Sequence, residues 1–144
     1  MPTPPVGVSM PVDSDDTLRE ILDYDTIAVV GCSTTSGKAA HDVPAYLQSQ
    51  GYRIVPVNPF ADEILGERAS DSLSDVEATI DIVDVFRPSE EVADIVDETL
   101  DREDVRVLWT QLGIRDDDAA KRAEDAGLQV VQDRCLKVEH ERLR

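Results

Sequence analysis

Five short runs rich in β-branched and apolar residues alternate along the chain with stretches of helical periodicity, and this alternation restricts the fold more than any other feature. The run TIAVV at 26–30 ends in Gly31 and is apolar on both faces, as a strand inside a parallel sheet is. A second run, 52–57, ends in Asn58-Pro59. A third, 81–86, ends in Arg87-Pro88. A fourth, 105–109, leads into Thr110-Gln111-Leu112-Gly113-Ile114, and a fifth covers 128–131. Helices are predicted over about 14–24, 39–50, 89–100, 116–126 and 136–142. Ser14 and Ser89 are expected caps, Gly51 and Gly127 expected stops, and Pro44 is expected in the first turn of its helix. Residues 60–80 are ambiguous: a short extended piece near Ile64-Leu65-Gly66 and a helical turn near 73–77 both fit.

The predicted class is α/β: a single doubly wound domain with about five mainly parallel strands and helices on both faces. Residues 14–144 would form it, and the proline-rich segment 1–13 would be a loose tail. A chain of 144 residues suits one core and buries roughly two-thirds of its unfolded surface without staples. The two cysteines, Cys32 and Cys135, are too few for a disulfide scaffold and lack zinc-ligand spacing, so no metal site is expected and a reducing cytoplasm fits best. No run approaches the ~20 apolar residues of a membrane span, and no targeting signal is read at the N-terminus. The net charge of −17 argues against nucleic-acid or anionic-membrane partners. With only three lysines and many aspartates, it suits a halophilic host whose salt screens the self-repulsion.

In an open parallel sheet, ligands sit outside the carboxyl ends of the strands. Here the first such loop, Gly31-Cys32-Ser33-Thr34-Thr35-Ser36-Gly37-Lys38, is small and polar and opens onto a helix. Its amides, the helix dipole and Lys38 suit a phosphate. The spacing matches neither GxGxxG nor a P-loop, and Asn58-Pro59 stands where an NAD site would hold a ribose-binding acid. Phe86 is a candidate to cover a base and Arg87 to pair with phosphate. Trp109 reads as packing under the loop that follows it. Cys32 has two readings: a thiolate favoured by the helix N-terminus, or a small buried loop residue. His41 and His140 lack a nucleophile and an orienting acid, so no catalytic residues are expected.

The segments TIAVVGCS, GYRIVPVNP, DIVDVFRP, VLWTQLGI and DRCLKVEH, in this order and spacing, resemble the small stand-alone CoA-binding proteins. They are also similar to the CoA-binding domain of the succinyl-CoA synthetase α subunit. The resemblance covers about 15–143 and implies a Rossmann-like fold with coenzyme A across the strand ends. It implies that Gly31, Cys32 and Ser33 approach the phosphates, with Lys38 at the diphosphate or 3′-phosphate. Asn58 and Pro59 would line the site, Phe86, Arg87 and Pro88 would border the adenine, and Gln111, Gly113 and Ile114 would lie near the ribose or pantetheine arm. Alanine is common in that family where Cys32 stands here. The synthetase's phosphohistidine domain has no counterpart. The expected function is therefore CoA or acyl-CoA binding without catalysis, with a protein partner or a second copy possible. The alternatives are an NAD(P)-linked or acyl-transfer enzyme, and the CoA-binding subunit of an acyl-CoA ligase complex.

Overall fold

A computed structural model describes residues 14–144; the expected tail, 1–13, lies outside the described residues. The chain runs α1 (Asp15–Leu22), β1 (Thr26–Val30), α2 (Ala39–Ser49), β2 (Arg53–Val57), a small hairpin β3 (Glu63–Ile64) and β4 (Glu67–Arg68), β5 (Ile82–Val85), α3 (Val92–Leu100), β6 (Val107–Thr110), α4 (Asp117–Asp125), β7 (Gln129–Val131) and α5 (Leu136–Leu143). The main sheet has the order β2-β1-β5-β6-β7, and every pairing in it is parallel.

Alternate strand residues feed two apolar layers. One holds Ala28, Val30, Val83, Val85, Leu108 and Val130 under α3 and α4. The other holds Ile27, Val29, Ile82, Val107, Trp109 and Val131 under α1, α2 and α5. Both faces of the sheet are therefore covered, which is why the strands read as unbroken apolar runs rather than alternating ones. Pro56 is tolerated within β2 because that strand is at an edge. Its carbonyl accepts the Ser70 amide, and the Asn58 amide donates to Ser70 O, so the segment after the hairpin shields the end of that edge. In the ambiguous region, Leu65 and Gly66 (φ 56° and 77°) form the tight turn of the β3–β4 hairpin, and Leu73–Asp75 is a single 3-10 turn.

Two local expectations are corrected. Pro44 is the sixth residue of α2, beyond the first turn, and so leaves the Ala40 carbonyl without its intrahelical donor. The Ser33 amide donates to that carbonyl at 3.0 Å. Ser89 does not cap α3: it opens a 3-10 turn, Ser89–Glu91, and its Oγ accepts the Arg115 amide at 3.0 Å. Ser14 does cap α1, its Oγ accepting from the Thr17 amide, and Asp116 caps α4 in the same way through the Ala119 amide.

Candidate functional site

The carboxyl ends of β2, β1, β5 and β6 lie side by side, so the segments 58–60, 31–38, 86–88 and 110–114 form one rim. At ~4.8 Å per strand the outer two tips are about 14 Å apart. Chain direction switches between β1 and β5: the β1 loop leads to α2 on one face, and the β5 loop leads to α3 on the other. This is where an α/β sheet opens a crevice.

Gly31 sits at that switch with φ +89°. A Cβ there would lie 2.7 Å from Arg87 Cδ and 3.0 Å from the Phe86 carbonyl oxygen. Gly31→Ala is expected to lose about 2 kcal/mol of stability, from the left-handed backbone alone and before Arg87 is displaced. Urea denaturation checks this; an unchanged midpoint would show that the close approach is relaxed in solution.

The β1 loop is partly closed on itself. The Thr35 amide donates to Ser33 Oγ, the Gly37 amide to Asp42 Oδ1 and the Lys38 amide to the Thr35 carbonyl. With the Ser33 amide held by Ala40, the N–H groups of Cys32, Thr34 and Ser36 in the loop, and of Ala39 and Ala40 at the start of α2, have no partner among the described residues. The anion-binding capacity expected around Ser33 thus lies in the residues beyond it and at the start of α2. Lys38 precedes α2, is exposed and has no ion-pair partner among the described residues. His41 Nδ1 and the Gly37 amide both meet Asp42, and they hold its carboxyl below the usual carboxylate range, the histidine contact first.

The remaining rim residues divide by what already holds them. Asn58 Nδ2 donates to the Cys32 carbonyl and its Oδ1 accepts the Phe60 amide, so it ties two loops together; Pro59 beside it is exposed. Phe86 is half-buried against the layer under α2 and α5, which makes it more a core residue than an open platform. Arg87 is half-exposed and forms a bidentate pair with Glu91; Pro88 is exposed. The Gly113 amide donates to Asp133 Oδ1, and the Ile114 carbonyl accepts from Thr110 Oγ1. Trp109 is fully buried and its Nε1 donates to the Arg134 carbonyl at 2.8 Å, the packing role read from the sequence.

Cys32 is fully buried. Burial, and next the charge of Asp84, push its thiol up to about 12. It is therefore a protonated thiol near neutral pH and not the thiolate that a helix N-terminus would favour. His140 is buried against Tyr46, whose hydroxyl lies 2.8 Å from Nδ1, in the layer of α2 and α5 rather than on the rim.

Three rim features escaped the sequence reading. Phe60 and Leu112 are 95% and 72% exposed, so apolar surface flanks the polar β1 loop on both sides. Asp84, in β5, is completely buried; Gln111 Nε2 donates to its Oδ1 at 2.7 Å, and its Oδ2 has no partner. The signal for Asp84 was available: an acid inside a strand apolar on both faces has no solvent to reach.

Two depressions lie away from the rim. One, of about 410 Å³, flanks β2 near Arg53, Arg68 and Glu77; the other, of about 320 Å³, lies near Tyr24, Gly51 and Tyr52, at the opposite end of the sheet. Four converging strand-tip loops on a switch point outweigh both as a ligand site, because there unpartnered amides at a helix start stand beside Lys38, which has no ion-pair partner among the described residues. No cluster of three metal-ligating side chains occurs among the described residues, and no described helix is long and apolar enough to cross a membrane.

Known proteins share this fold. Residues 25–141 match the family described as a CoA binding domain. An uncharacterized Bacillus subtilis protein, YneT, is 40% identical over 124 residues, covering 85% of this chain and 91% of that protein. The solved structure of a hypothetical protein from Pyrococcus horikoshii superposes with a TM-score of 0.86 at 35% identity, over 99% of this chain and 97% of the other. An ADP-forming acetate–CoA ligase of Methanocaldococcus jannaschii is 32% identical over 84 residues, 58% of this chain but 12% of the ligase.

Proposed function

Because the chain belongs to the CoA-binding domain family, we propose that it holds coenzyme A or an acyl-CoA across the tips of β2, β1, β5 and β6, without itself catalysing a reaction. The observation that carries this reading is the β1 loop. Its amides at Thr34, Ser36, Ala39 and Ala40, unpartnered among the described residues, stand beside Lys38, which has no ion-pair partner among them, at the start of α2, an arrangement suited to a diphosphate. Gly31 lets Arg87 lie close against the switch point, and Phe60 and Leu112 offer apolar contact about three strand spacings apart, which suits an elongated ligand with a base at one end. The buried Cys32, its thiol kept protonated by that burial, supports binding rather than thiolate chemistry at this loop.

CoA is expected to raise the melting temperature and to bind at low millimolar affinity or better, with NAD weaker; equal shifts for both would remove the preference. Lys38→Ala is expected to weaken CoA binding by about 1–3 kcal/mol, the worth of a charge-assisted bond to phosphate. Calorimetric titration reads this directly, and an unchanged Kd would put Lys38 outside the site.

A second reading has support of its own. The similarity to a segment of an ADP-forming acetate–CoA ligase suits a CoA-binding subunit whose catalytic parts lie on another chain. Recovery of ligase subunits with the protein from its host would favour it.

A further inference from the structure

The Asp84 carboxyl is sealed beneath the rim, yet it touches one rim side chain. It shares a sheet face with Val29 of β1 and Trp109 of β6, its register partners, in the layer under α1, α2 and α5. Gln111 directly follows β6 and donates Nε2 to Asp84 Oδ1. Gln111 Oε1 has no protein partner among the described residues and is not sealed from solvent, whereas Asp84 Oδ2 is sealed and unpaired.

A carboxylate only accepts hydrogen bonds, while a neutral carboxylic acid also has one O–H to donate. Facing a carboxylate, Gln111 must point its NH2 inward and offer its carbonyl to the crevice. Facing the neutral acid in the same orientation, it leaves the buried O–H with no acceptor, which is costly. Rotating the amide by half a turn lets that O–H donate to Oε1 and turns Nε2 outward, where water or a ligand can accept from it.

We propose that Asp84 is a positioning residue whose protonation sets which face of the Gln111 amide the ligand crevice meets: a hydrogen-bond acceptor when ionised, a donor when neutral. The proton is exchanged with solvent. This deepens the coenzyme A reading and rests on it for the ligand. At higher pH the Gln111 position selects a ligand hydroxyl or amide N–H; at lower pH it selects a phosphate or carbonyl oxygen.

The charged groups on the packed elements are engaged elsewhere or, like Glu20 of α1 and Glu141 of α5, exposed at the surface. On α2, His41 and Asp42 pair with one another. On α5, Lys137 lies over the Tyr46 ring, Glu139 pairs with Arg142, and His140 meets Tyr46. On α1, Asp15 pairs with Arg142 and Asp16 with Arg19. Burial raises the Asp84 carboxyl and the Gln111 amide opposes that, while the Cys32 thiol nearby feels the Asp84 charge.

The test has two arms. In the ligand-free protein, the Gln111 side-chain amide NMR signals, assigned with Gln111→Ala, are expected to shift between pH 5.5 and 8.5, together with the Asp84 carboxyl carbon. Gln111 signals that stay constant while Asp84 titrates would overturn the proposal. In the second arm, CoA affinity is measured across the same range for the wild type and Asp84→Asn. Titration of CoA's own phosphates is common to both proteins. The ratio of their affinities is expected to change roughly fivefold, the worth of one hydrogen bond; parallel profiles would refute the switch. A wild type that binds no CoA at any pH would sink the coenzyme A reading alone, and the ligand-free arm would still decide the switch, as it would if Asp84→Asn failed to fold.

Discussion

Trp109→Ala is expected to lower the free energy of unfolding by about 3–5 kcal/mol, the range for emptying a fully buried aromatic site. The side chain is completely buried, lies in β6 between the neighbouring strands β5 and β7, and packs in the layer beneath α5. Its loss also strands the Arg134 carbonyl, which now accepts Nε1 at 2.8 Å in the segment leading to α5. That segment is tied to the rim as well, since the Arg134 amide donates to the Thr110 carbonyl. Trp109→Phe should recover much of the ring packing but not the hydrogen bond, and so should fall between the two. Because this is the sole tryptophan, circular dichroism in urea is the appropriate measurement. A loss below 1 kcal/mol would mean that the layer collapses to fill the space.

Asp84 should make the protein less stable as pH rises. Burial pushes its carboxyl from the ordinary 3.8 to about 7, against the weaker opposing influence of the Gln111 amide. An acid raised in the folded state binds its proton more tightly there than in the unfolded chain. Its contribution is therefore fully present below pH 3.8, is lost as pH climbs, and is gone above about 7. The expected loss is about 4 kcal/mol, from the shift at 1.36 kcal/mol per unit. Other carboxylates titrate at the acid end of this range, so the informative quantity is the difference between wild type and Asp84→Asn. That difference should move in favour of the asparagine variant by this amount between pH 4 and 8. If it stays constant, Asp84 keeps an ordinary carboxylate pKa and water reaches it.

The legible parts of the fold were those where backbone chemistry and apolar period agree. Residues 26–30 carry five consecutive buried side chains, so β1 appears in the sequence at its observed bounds. Gly51 and Gly127, with φ near +100°, stand just beyond α2 and α4 as expected. What the sequence could not convey was where backbone donors go. The Ser33 amide is taken by a carbonyl that Pro44 leaves open, a partnership between two segments that no local spacing encodes. The Gly37 amide goes to Asp42, five residues further along and already inside the next helix. The rim itself was legible because strand ends are marked by glycine, proline and small polar residues. Its apolar edges were not: Phe60 and Leu112 are hydrophobic residues whose exposure depends on tertiary placement.

The proline inside α2 has a consequence for how a ligand would be received. By leaving one helical carbonyl open and letting the Ser33 amide fill it, the chain fastens the turn after β1 to the helix it feeds. An arriving anion would meet a preorganised cradle, so little of its interaction energy would go into freezing a floppy segment. A defect in the helix thus becomes rigidity at its doorway.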